Sequence, residues 1–371
     1  MLSIFFKKNA LINFSIFVVS IAASLMIGYF VYRYLMQPPR PAVYQGQESD
    51  YALSFYNSNG QKLSELNGNL KLRTDPFTIY ANYPNQTSAS YSIDTEGFRS
   101  TYIKNPAPEK LAIVIGGSAA FGQGLSNDNN TFASHISRLN DKYRVINAGT
   151  VGFLSGQELS QMVHVLDRLA PSIYIVFDGW NDIFDPYMYT GIWPINGGPI
   201  GFNNTFFMVE KQLADSFHNK HQSGNVTAMD LSPASKTFKS EHEYFKEIIS
   251  TYISNISRMN AFANARKAKF LIVFQPELTN KKTLSKDEEE SLNNWNNAYK
   301  YHDKKIPDNY NQLIQYAKKL CNEQNIAYID INKEKLFSEN SHTLFYDVVH
   351  PNEEGHKIIA ELVNKILIEK F

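Results

Sequence analysis

The sequence predicts a doubly wound, three-layer α/β/α sandwich, in which a parallel β-sheet lies between two layers of helices. Five short, continuous apolar runs are spaced along the last two-thirds of the chain, and such runs are typical of parallel strands buried on both faces. Stretches with helical spacing separate these runs, and this alternation is what produces a parallel sheet. Motifs rich in Gly, Asn and Asp follow several runs, at the sheet edge where open α/β folds bind ligands.

The predicted elements alternate from residue 111 to the C-terminus. The strands cover residues 111–115, 144–147, 173–177, 270–274 and 326–330. The helices cover residues 156–169, 242–267, 309–325 and 353–371. Asn352 is suited to cap the last helix, with Glu353 and Glu354 in its first turn, where the helix dipole favours acidic side chains. His350 is therefore expected on the loop just before this helix.

The chain is expected to consist of three parts. Residues 1–36 form a transmembrane anchor with its flanks, residues 37–110 form a tether and a small β-rich appendage, and residues 111–371 form the main domain. Prolines stiffen the start of the tether. The rest of the appendage is polar and carries turn signals such as Asn59-Gly60.

Residues 10–31 form an apolar run without a formal charge, long enough to cross a bilayer as a helix. A cleaved signal peptide is the alternative, but the run exceeds a typical signal-peptide core and no small-x-small site follows it before Pro38. We therefore expect an uncleaved anchor. Lys7 and Lys8 precede the run and Arg33 follows it, so the charge bias slightly favours a cytoplasmic N-terminus. The main domain is then extracytoplasmic, either periplasmic or extracellular.

The composition excludes several classes of function. Lysine plus arginine and aspartate plus glutamate both number 36, without a basic cluster, so nucleic acid is not an expected partner. The single cysteine, Cys321, excludes an intrachain disulfide and is expected in the core. The nine histidines form no metal-binding pattern, and His356 is expected at the surface. The glycine-rich run at 116–124 matches neither a P-loop nor a dinucleotide motif. We therefore predict no metal and no cofactor.

Three short motifs carry the residue types of an acyl-transfer site: Gly116-Gly117-Ser118, Gly179-Trp180-Asn181-Asp182 and Asp347-Val348-Val349-His350. A serine hydroxyl is a weak nucleophile at neutral pH, so it needs an imidazole to accept its proton and a carboxylate to orient that imidazole. His350 and Asp347 supply both, and their spacing lets one turn of chain aim both side chains at the same point. The oxyanion that develops needs preplaced donors, and Asn181 is suited to that role.

Each motif alone is also typical of an ordinary turn. Their joint placement on loops downstream of candidate parallel strands favours the catalytic interpretation. We therefore predict a serine esterase with Ser118 as nucleophile, His350 as base and Asp347 as the group that orients the base.

These motifs resemble the four sequence blocks of the SGNH/GDSL hydrolase superfamily, over a region from residue 111 to the C-terminus. The blocks are matched by Ile115-Gly116-Gly117-Ser118, residues 147–152, Gly179-Trp180-Asn181-Asp182 and Asp347-Val348-Val349-His350-Pro351. The resemblance implies the flavodoxin-like α/β/α sandwich of that superfamily, with about five parallel strands. It also implies that Asn181, Gly152 and the Ser118 amide form the oxyanion hole.

The chain departs from the superfamily pattern at Gly117, where many members have Asp. Gly149 and Gly152 both fit the glycine of the second block. The other common serine-esterase motif, the G-x-S-x-G elbow of α/β-hydrolases, is absent because Ala120 stands at its second glycine position.

Residues 183–240 form the longest predicted irregular stretch, an insertion that follows the Asn181 motif. It is rich in aromatic side chains, among them Phe184, Tyr187 and Trp193. Long loops in compact domains are commonly functional or disordered, and the aromatic content argues against disorder. A packed insertion and a lid or wall that contacts the substrate both remain open.

The leading functional prediction is a serine esterase that removes O-acyl groups, such as acetyl, from cell-surface glycans or glycolipids. Residues 92–99 support it, because they resemble the lead-in segment of some membrane-associated SGNH proteins from surface-polysaccharide settings. An O-acyltransferase would share the acyl-enzyme step, and a lipid esterase or lysophospholipase would fit an anchor that holds the site near acyl chains. A non-catalytic glycan-binding or assembly protein is the alternative outside enzymes, and the complete set of triad residues argues against it.

Overall fold

The described part of the chain begins with two short antiparallel hairpins. The structure, a computed structural model, describes residues 70–188, 241–298 and 305–371. Strand β1 (Leu72–Asp75) pairs with β2 (Ile79–Asn82), and β3 (Gln86–Thr87) pairs with β4 (Ser92–Ile93). Both hairpins precede the main sheet in the chain.

A five-stranded parallel sheet forms the centre of the fold. In chain order its strands are β5 (Lys110–Gly116), β6 (Tyr143–Asn147), β7 (Ile173–Asp178), β8 (Lys269–Phe274) and β9 (Ala327–Asp330). They lie in the order β6-β5-β7-β8-β9, and every neighbouring pair is parallel. The predicted α/β fold with five parallel strands is therefore confirmed, and each predicted strand overlaps an observed one.

Two groups of helices cover this sheet. The helices are α1 (Ser118–Phe121), α2 (Phe132–Leu139), α3 (Ser155–Gln161), α4 (Trp180–Met188), α5 (Glu241–Ala265), α6 (Lys286–Ala298), α7 (Lys305–Glu323), α8 (Lys335–Ser338) and α9 (Glu353–Lys370). Helix α2 packs against α9, whereas α5 contacts α3, α4 and α7. Successive side chains of β5 point to opposite sheet faces, and Ala112 and Ile113 are both fully buried. Both faces of the sheet are therefore covered.

The sequence pattern misses some helical structure. It does not predict α2 or α6, because α2 is only two turns long and α6 lies in a strongly polar stretch without a continuous apolar stripe. It also begins the irregular insertion at residue 183, whereas α4 continues to Met188. The predicted helix at 156–169 starts as α3 and ends in a π-helical segment and a 3₁₀ turn.

The strand order places a crevice at the carboxyl ends of β5 and β7. From β5 the chain adds β6 on one side and then returns to add β7 on the other side. The loops after β5 and β7 diverge at such a switch point, which is where open α/β sheets bind ligands. Ser118 follows β5 and Asn181 follows β7, so both motifs lie at this end of the sheet.

Three predictions concern residues outside the described ranges. These are the anchor at residues 10–31, the tether and first part of the appendage at residues 37–69, and residues 189–240 of the insertion. Within residues 70–188, 241–298 and 305–371, no helix is both long and apolar enough to cross a bilayer.

Candidate active site

A continuous hydrogen-bonded chain links Ser118, His350 and Asp347. Ser118 is the first residue of α1 and is separated from β5 by Gly117 alone, while His350 lies on the loop before α9. The Ser118 Oγ lies 2.9 Å from His350 Nε2, and His350 Nδ1 lies 2.6 Å from Asp347 Oδ2. The side chains of His350 and Asp347 are largely buried, at 15% and 13% exposure. The structure thus brings together three side chains from two ends of the domain, in the geometry needed for proton transfer from a hydroxyl.

The turn from Asp347 to His350 is organised by the Asp347 carboxylate itself. Its Oδ1 accepts the backbone N–H groups of Val349 and His350, both at 2.8 Å, while its Oδ2 contacts the His350 ring. This explains the three-residue spacing, because one carboxylate both forms the turn and orients the imidazole. Burial raises the pKa of Asp347, but His350 and the two backbone N–H groups outweigh it, so the pKa lies below its ordinary value. The carboxylate is therefore ionised at neutral pH.

The segment after β8 holds this turn in place. Gln275 Nε2 donates to the Val349 carbonyl at 2.8 Å, and the Leu278 N–H donates to the Val348 carbonyl at 2.8 Å. Gln275 is buried and directly follows β8. Gln275 is not predicted from the sequence, although its position as a polar residue just past a buried strand, at the carboxyl edge of the sheet, is a signal that could have identified it.

Asn181 lies beside the turn that carries Ser118. It is the second residue of α4, and its Nδ2 donates one N–H to the Phe153 carbonyl at 3.0 Å. An Asn amide nitrogen carries two N–H groups, so the second remains available to a ligand. A Cβ atom built on Gly117 would lie 2.5 Å from this nitrogen, which shows how close Asn181 lies to the residue before Ser118.

The two candidate glycines of the second block have different environments. The Gly149 N–H is already bound to Asn147 Oδ1 at 3.0 Å, and a Cβ at Gly149 would lie 2.4 Å from the Phe121 backbone nitrogen. Gly149 is therefore needed for close packing against α1. Gly152 has φ +76°, and its N–H has no hydrogen-bond partner in the described part of the chain. Gly152 is the glycine of the pair with an open donor.

The model of the GDSL-like lipase/acylhydrolase family matches residues 112–363, which is more than half of the chain. The chain belongs to this family. It is accordingly an ester-bond hydrolase, and the predicted relation to the SGNH/GDSL superfamily is confirmed.

Several solved structures are similar to this GDSL-family hydrolase at low sequence identity. A putative lipolytic protein of the G-D-S-L family from Desulfitobacterium hafniense is 13% identical, covering 70% of this chain and 99% of the other, with a TM-score of 0.41. An acetylxylan esterase from Geobacillus stearothermophilus is 13% identical, covering 71% and 95%, with a TM-score of 0.41. A GDSL-like lipase from Bacteroides thetaiotaomicron is 16% identical, covering 73% and 93%, with a TM-score of 0.39. No curated protein matches the chain in sequence.

Where β7 meets α4, the GDSL-family hydrolase buries three carboxyl groups, those of Asp178, Asp182 and Glu158. Asp182 accepts the Ser155 hydroxyl at 2.5 Å and the Ser155 N–H at 3.0 Å, and Asp178 accepts the Tyr252 hydroxyl at 2.9 Å. Burial, together with the charge of Asp178, raises the pKa of Asp182 to about 7. Burial likewise raises the pKa of Asp178, and it raises that of Glu158 well above the ordinary value. The sequence pattern does not predict this cluster, because its three members come from separate elements.

One histidine prediction is wrong. His356 is not a surface residue but fully buried in the first turn of α9, where its Nδ1 accepts the Phe132 N–H at 3.0 Å. Burial lowers the pKa of His356 well below its ordinary value, which keeps the ring neutral. The prediction is wrong because the sequence pattern does not predict α2, the helix that covers this side of α9 and buries His356. Across the described ranges, no group of three His, Cys, Asp or Glu side chains is placed to hold a metal ion.

Proposed function

We propose that this GDSL-family hydrolase is a serine esterase that uses Ser118, His350 and Asp347 as a catalytic triad. The observation that carries the proposal is the hydrogen-bonded chain from Ser118 Oγ through the His350 ring to Asp347, at 2.9 Å and 2.6 Å. With the Nδ1 proton held by the carboxylate, Nε2 is free to accept the serine proton. The arrangement matches acyl transfer through a covalent intermediate.

In the first half-reaction, Ser118 Oγ attacks the ester carbonyl while His350 Nε2 takes the hydroxyl proton. Asp347 stabilises the imidazolium, and the carbonyl oxygen becomes an oxyanion. When the tetrahedral intermediate collapses, the bond to the alcohol breaks and His350 returns the proton to the leaving oxygen. An acyl-Ser118 ester remains. Water then gives a proton to His350 and attacks this ester. When this second intermediate collapses, the bond from the acyl carbon to Ser118 Oγ breaks and His350 returns the proton to Oγ, which releases the carboxylic acid and restores the Ser118 hydroxyl.

The oxyanion hole in this proposal consists of three donors. They are the backbone N–H groups of Ser118 and Gly152 and the second N–H of Asn181. None of the three has another hydrogen-bond partner among the described residues. Such donors contribute most when the carbonyl oxygen becomes charged, because they are already oriented before the reaction.

The proposed substrates are O-acyl groups, acetyl above all, on cell-surface glycans or glycolipids. Support comes from the predicted anchor at residues 10–31, which would hold the domain outside the cytoplasm next to such polymers. The resemblance of residues 92–99 to surface-polysaccharide proteins of the same superfamily points the same way. Transfer of the acyl group to a sugar hydroxyl would use the same acyl-enzyme, with a different acceptor.

The nucleophile is tested by labelling the full-length protein with a fluorophosphonate probe and mapping the adduct by mass spectrometry. We expect one adduct on Ser118, none in Ser118→Ala, and unchanged labelling in Ser160→Ala. Ser160 is a suitable control because its hydroxyl donates to the Phe77 carbonyl on the surface. Probe attached elsewhere, or labelling that survives Ser118→Ala, would contradict the proposal.

The substrate class is tested with a series of p-nitrophenyl esters and an O-acetylated glycan. A glycan deacetylase should prefer acetyl and release acetate from the polymer, whereas a preference for chains of about eight carbons or more would favour a lipid esterase. Addition of a sugar alcohol as acceptor separates hydrolysis from acyl transfer, since only a transferase forms the new sugar ester.

The anchor is tested on cells that express the full-length chain. The protein should stay in the membrane fraction through high-salt and alkaline washes, with its C-terminus accessible to protease from outside. A soluble product that begins near residue 37 would favour a signal peptide instead.

A further inference from the structure

The N-terminal hairpin reaches the loop that carries the proposed oxyanion glycine. The Tyr80 hydroxyl donates to the Val151 carbonyl at 3.0 Å, and Asn82 Nδ2 donates to the Gly149 carbonyl at 3.1 Å. Tyr80 and Asn82 are two residues apart on β2, so their side chains leave the same face of the strand. Both are buried, at 1% and 2% exposure. Two carbonyls of this loop are therefore held by side chains about 70 residues earlier in the chain.

Each of these carbonyls belongs to a planar trans peptide whose N–H points in the opposite direction. In the Gly149–Thr150 peptide group, the Thr150 N–H donates to the carbonyl of Gly116, two residues before Ser118, at 3.0 Å. In the Val151–Gly152 peptide group, the Gly152 N–H has no partner among the described residues. The Thr150 N–H therefore connects the loop to the turn that carries Ser118, and the Gly152 N–H is the open donor.

We propose that Tyr80 is a positioning residue for the oxyanion hole. Its hydroxyl fixes the plane of the Val151–Gly152 peptide, so that the Gly152 N–H keeps the direction needed by the oxyanion. It also polarises the peptide, because a hydrogen bond to a carbonyl strengthens the N–H of the same amide as a donor. Asn82 does the same for the neighbouring peptide that ends at Thr150. The inference rests on the proposed function, since it requires the Gly152 N–H to bind the oxyanion.

The backbone freedom of Gly152 explains why the Val151–Gly152 peptide group needs a side chain to hold it. Its φ of +76° lies in a region that glycine enters without penalty, and glycine also accepts most other conformations. The Val151–Gly152 peptide can therefore rotate at little cost when nothing holds its carbonyl. The Tyr80 ring packs edge-on against Phe153, with centroids 5.3 Å apart. A phenylalanine at position 80 retains that packing and loses only the hydroxyl, which separates positioning from structural support.

The test compares the full-length Tyr80→Phe variant with a Tyr174→Phe control. The Tyr174 hydroxyl is also buried but has no partner in the described part of the chain. Tyr80→Phe should lower kcat and the rate constant for fluorophosphonate labelling by roughly three- to tenfold, as expected for one neutral hydrogen bond. Its KM should stay within about twofold, because the donor acts on the charged oxygen rather than on the bound ester. The control should leave kcat and the labelling rate unchanged.

A second measurement observes the Gly152 amide directly, in the wild type and in Tyr80→Phe. Val151-Gly152 is the only Val-Gly pair in the sequence. Labelling valine carbonyls with ¹³C and glycine amides with ¹⁵N therefore selects a single amide signal. Phosphonylation of Ser118 should move its proton signal downfield, since the N–H then donates to the phosphonyl oxygen. In free Tyr80→Phe the same signal should lie upfield of its wild-type position.

The outcomes separate this inference from the proposed function. If Ser118 is labelled but the Gly152 signal does not move, the oxyanion is held elsewhere and the inference is overturned, while the nucleophile stands. The inference is also overturned if a folded Tyr80→Phe variant retains the kcat of the Tyr174→Phe control. Failure of the probe to label Ser118 would overturn the proposed function itself.

Discussion

Gly117 and Asn181 occupy adjacent space at the nucleophile turn, where a Cβ on Gly117 would lie 2.5 Å from Asn181 Nδ2. The same Cβ would lie 3.3 Å from the Phe153 carbonyl, which accepts the Asn181 N–H. Gly117 stands at the position where many members of the superfamily have Asp. In this chain the amide of Asn181 fills the space that such a side chain would enter, so any side chain at 117 must displace the proposed oxyanion donor.

Gly117→Ala should therefore act mainly on catalysis. The atom that must move is the far end of the Asn181 side chain, so the unfolding midpoint should change little. We expect kcat to fall by roughly tenfold or more, toward the roughly 10²- to 10³-fold loss expected for Asn181→Ala. The measurement is kcat and KM on a soluble acyl ester for both single variants and the double variant. If Asn181 is already displaced by Gly117→Ala, the double variant will resemble Asn181→Ala; independent, multiplying losses would contradict the steric link.

Ser118→Ala and His350→Ala should each remove nearly all esterase activity, on the order of 10⁴-fold or more. Because the 2.9 Å contact makes serine and base one functional unit, the double variant should lose little more than either single variant. The check is a kinetic cycle of the two single variants and the double variant on the same ester. Losses that multiply would show that the two residues act separately.

Asp347→Asn tests the carboxylate in two ways. Activity should fall by roughly 10³- to 10⁴-fold, because an amide no longer selects the Nδ1-protonated ring. The second test is the pH dependence of stability, and its sign follows from a folded pKa below the ordinary value of 3.8. The ionised carboxylate stabilises the fold fully above that ordinary value and loses this effect as pH falls through the lower folded pKa.

The stability difference between wild type and Asp347→Asn should therefore be constant from about pH 5 to 7 and shrink in acid. Denaturant unfolding at several pH values measures it. A difference that grows as the pH falls below about 4 would contradict the assigned direction of the pKa.

Local patterns in the sequence predict the strands and the Asp347–His350 pair because each of these depends on neighbouring residues. The five apolar runs coincide with β5 to β9. Asp347 and His350 lie in one turn, and that turn is formed by Asp347 itself. Spacing along the chain is therefore enough to predict that these two side chains lie together. The Ser118 motif is predicted at the same edge of the sheet because it follows the carboxyl end of β5.

The supporting contacts are not visible in the sequence, because each joins residues far apart in the chain. Tyr80 bonds to Val151, 71 positions later in the chain, and Gln275 bonds to Val349, 74 positions later. The local spacing of apolar and polar residues does not predict such pairs. The sequence leaves Gly149 and Gly152 as alternatives for the oxyanion glycine, whereas the structure shows that the Gly149 N–H is already bound to Asn147.

The buried carboxyl cluster predicts a pH effect of the opposite sign. Asp182 has a folded pKa of about 7 against an ordinary value of 3.8. Between those values the folded state holds a proton that the unfolded state has lost, so stability falls as pH rises. Charging this buried group costs on the order of a few kcal/mol, and that cost is fully present above about pH 7.

Asp182→Asn removes this ionisation while leaving an oxygen to accept the Ser155 N–H. Relative to wild type, the variant should gain unfolding free energy as the pH rises from about 4 to 7 and stay constant above. Urea denaturation across that pH range provides the measurement, with Asp141→Asn as an exposed control. A relative stability that does not change with pH would show that Asp182 is ionised throughout.

The last prediction concerns Arg99, which joins the N-terminal hairpins to the nucleophile helix. Its Nη1 donates to the carbonyls of Phe121 and Gly122 at 3.1 Å and 2.7 Å, at the end of α1. Its Nε pairs with Asp128 at 2.8 Å, and its Nη2 donates to the Ser90 carbonyl at 2.7 Å. The side chain is only 1% exposed. One buried guanidinium thus satisfies three carbonyls and a carboxylate that have little access to water.

Arg99→Met should destabilise the fold by roughly 3 kcal/mol, since it removes every hydrogen bond that the guanidinium donates to these buried acceptors and leaves the Ser90 carbonyl without a donor among the described residues. Arg168→Met is the matched control, because Arg168 pairs with Glu96 at the surface, where both side chains are about half exposed. Such a pair contributes about 0–1 kcal/mol. Denaturant unfolding of both variants gives the comparison. Equal losses would mean that the buried contacts of Arg99 are replaced by water, and the hairpins would then be attached to α1 by their apolar packing rather than by this guanidinium.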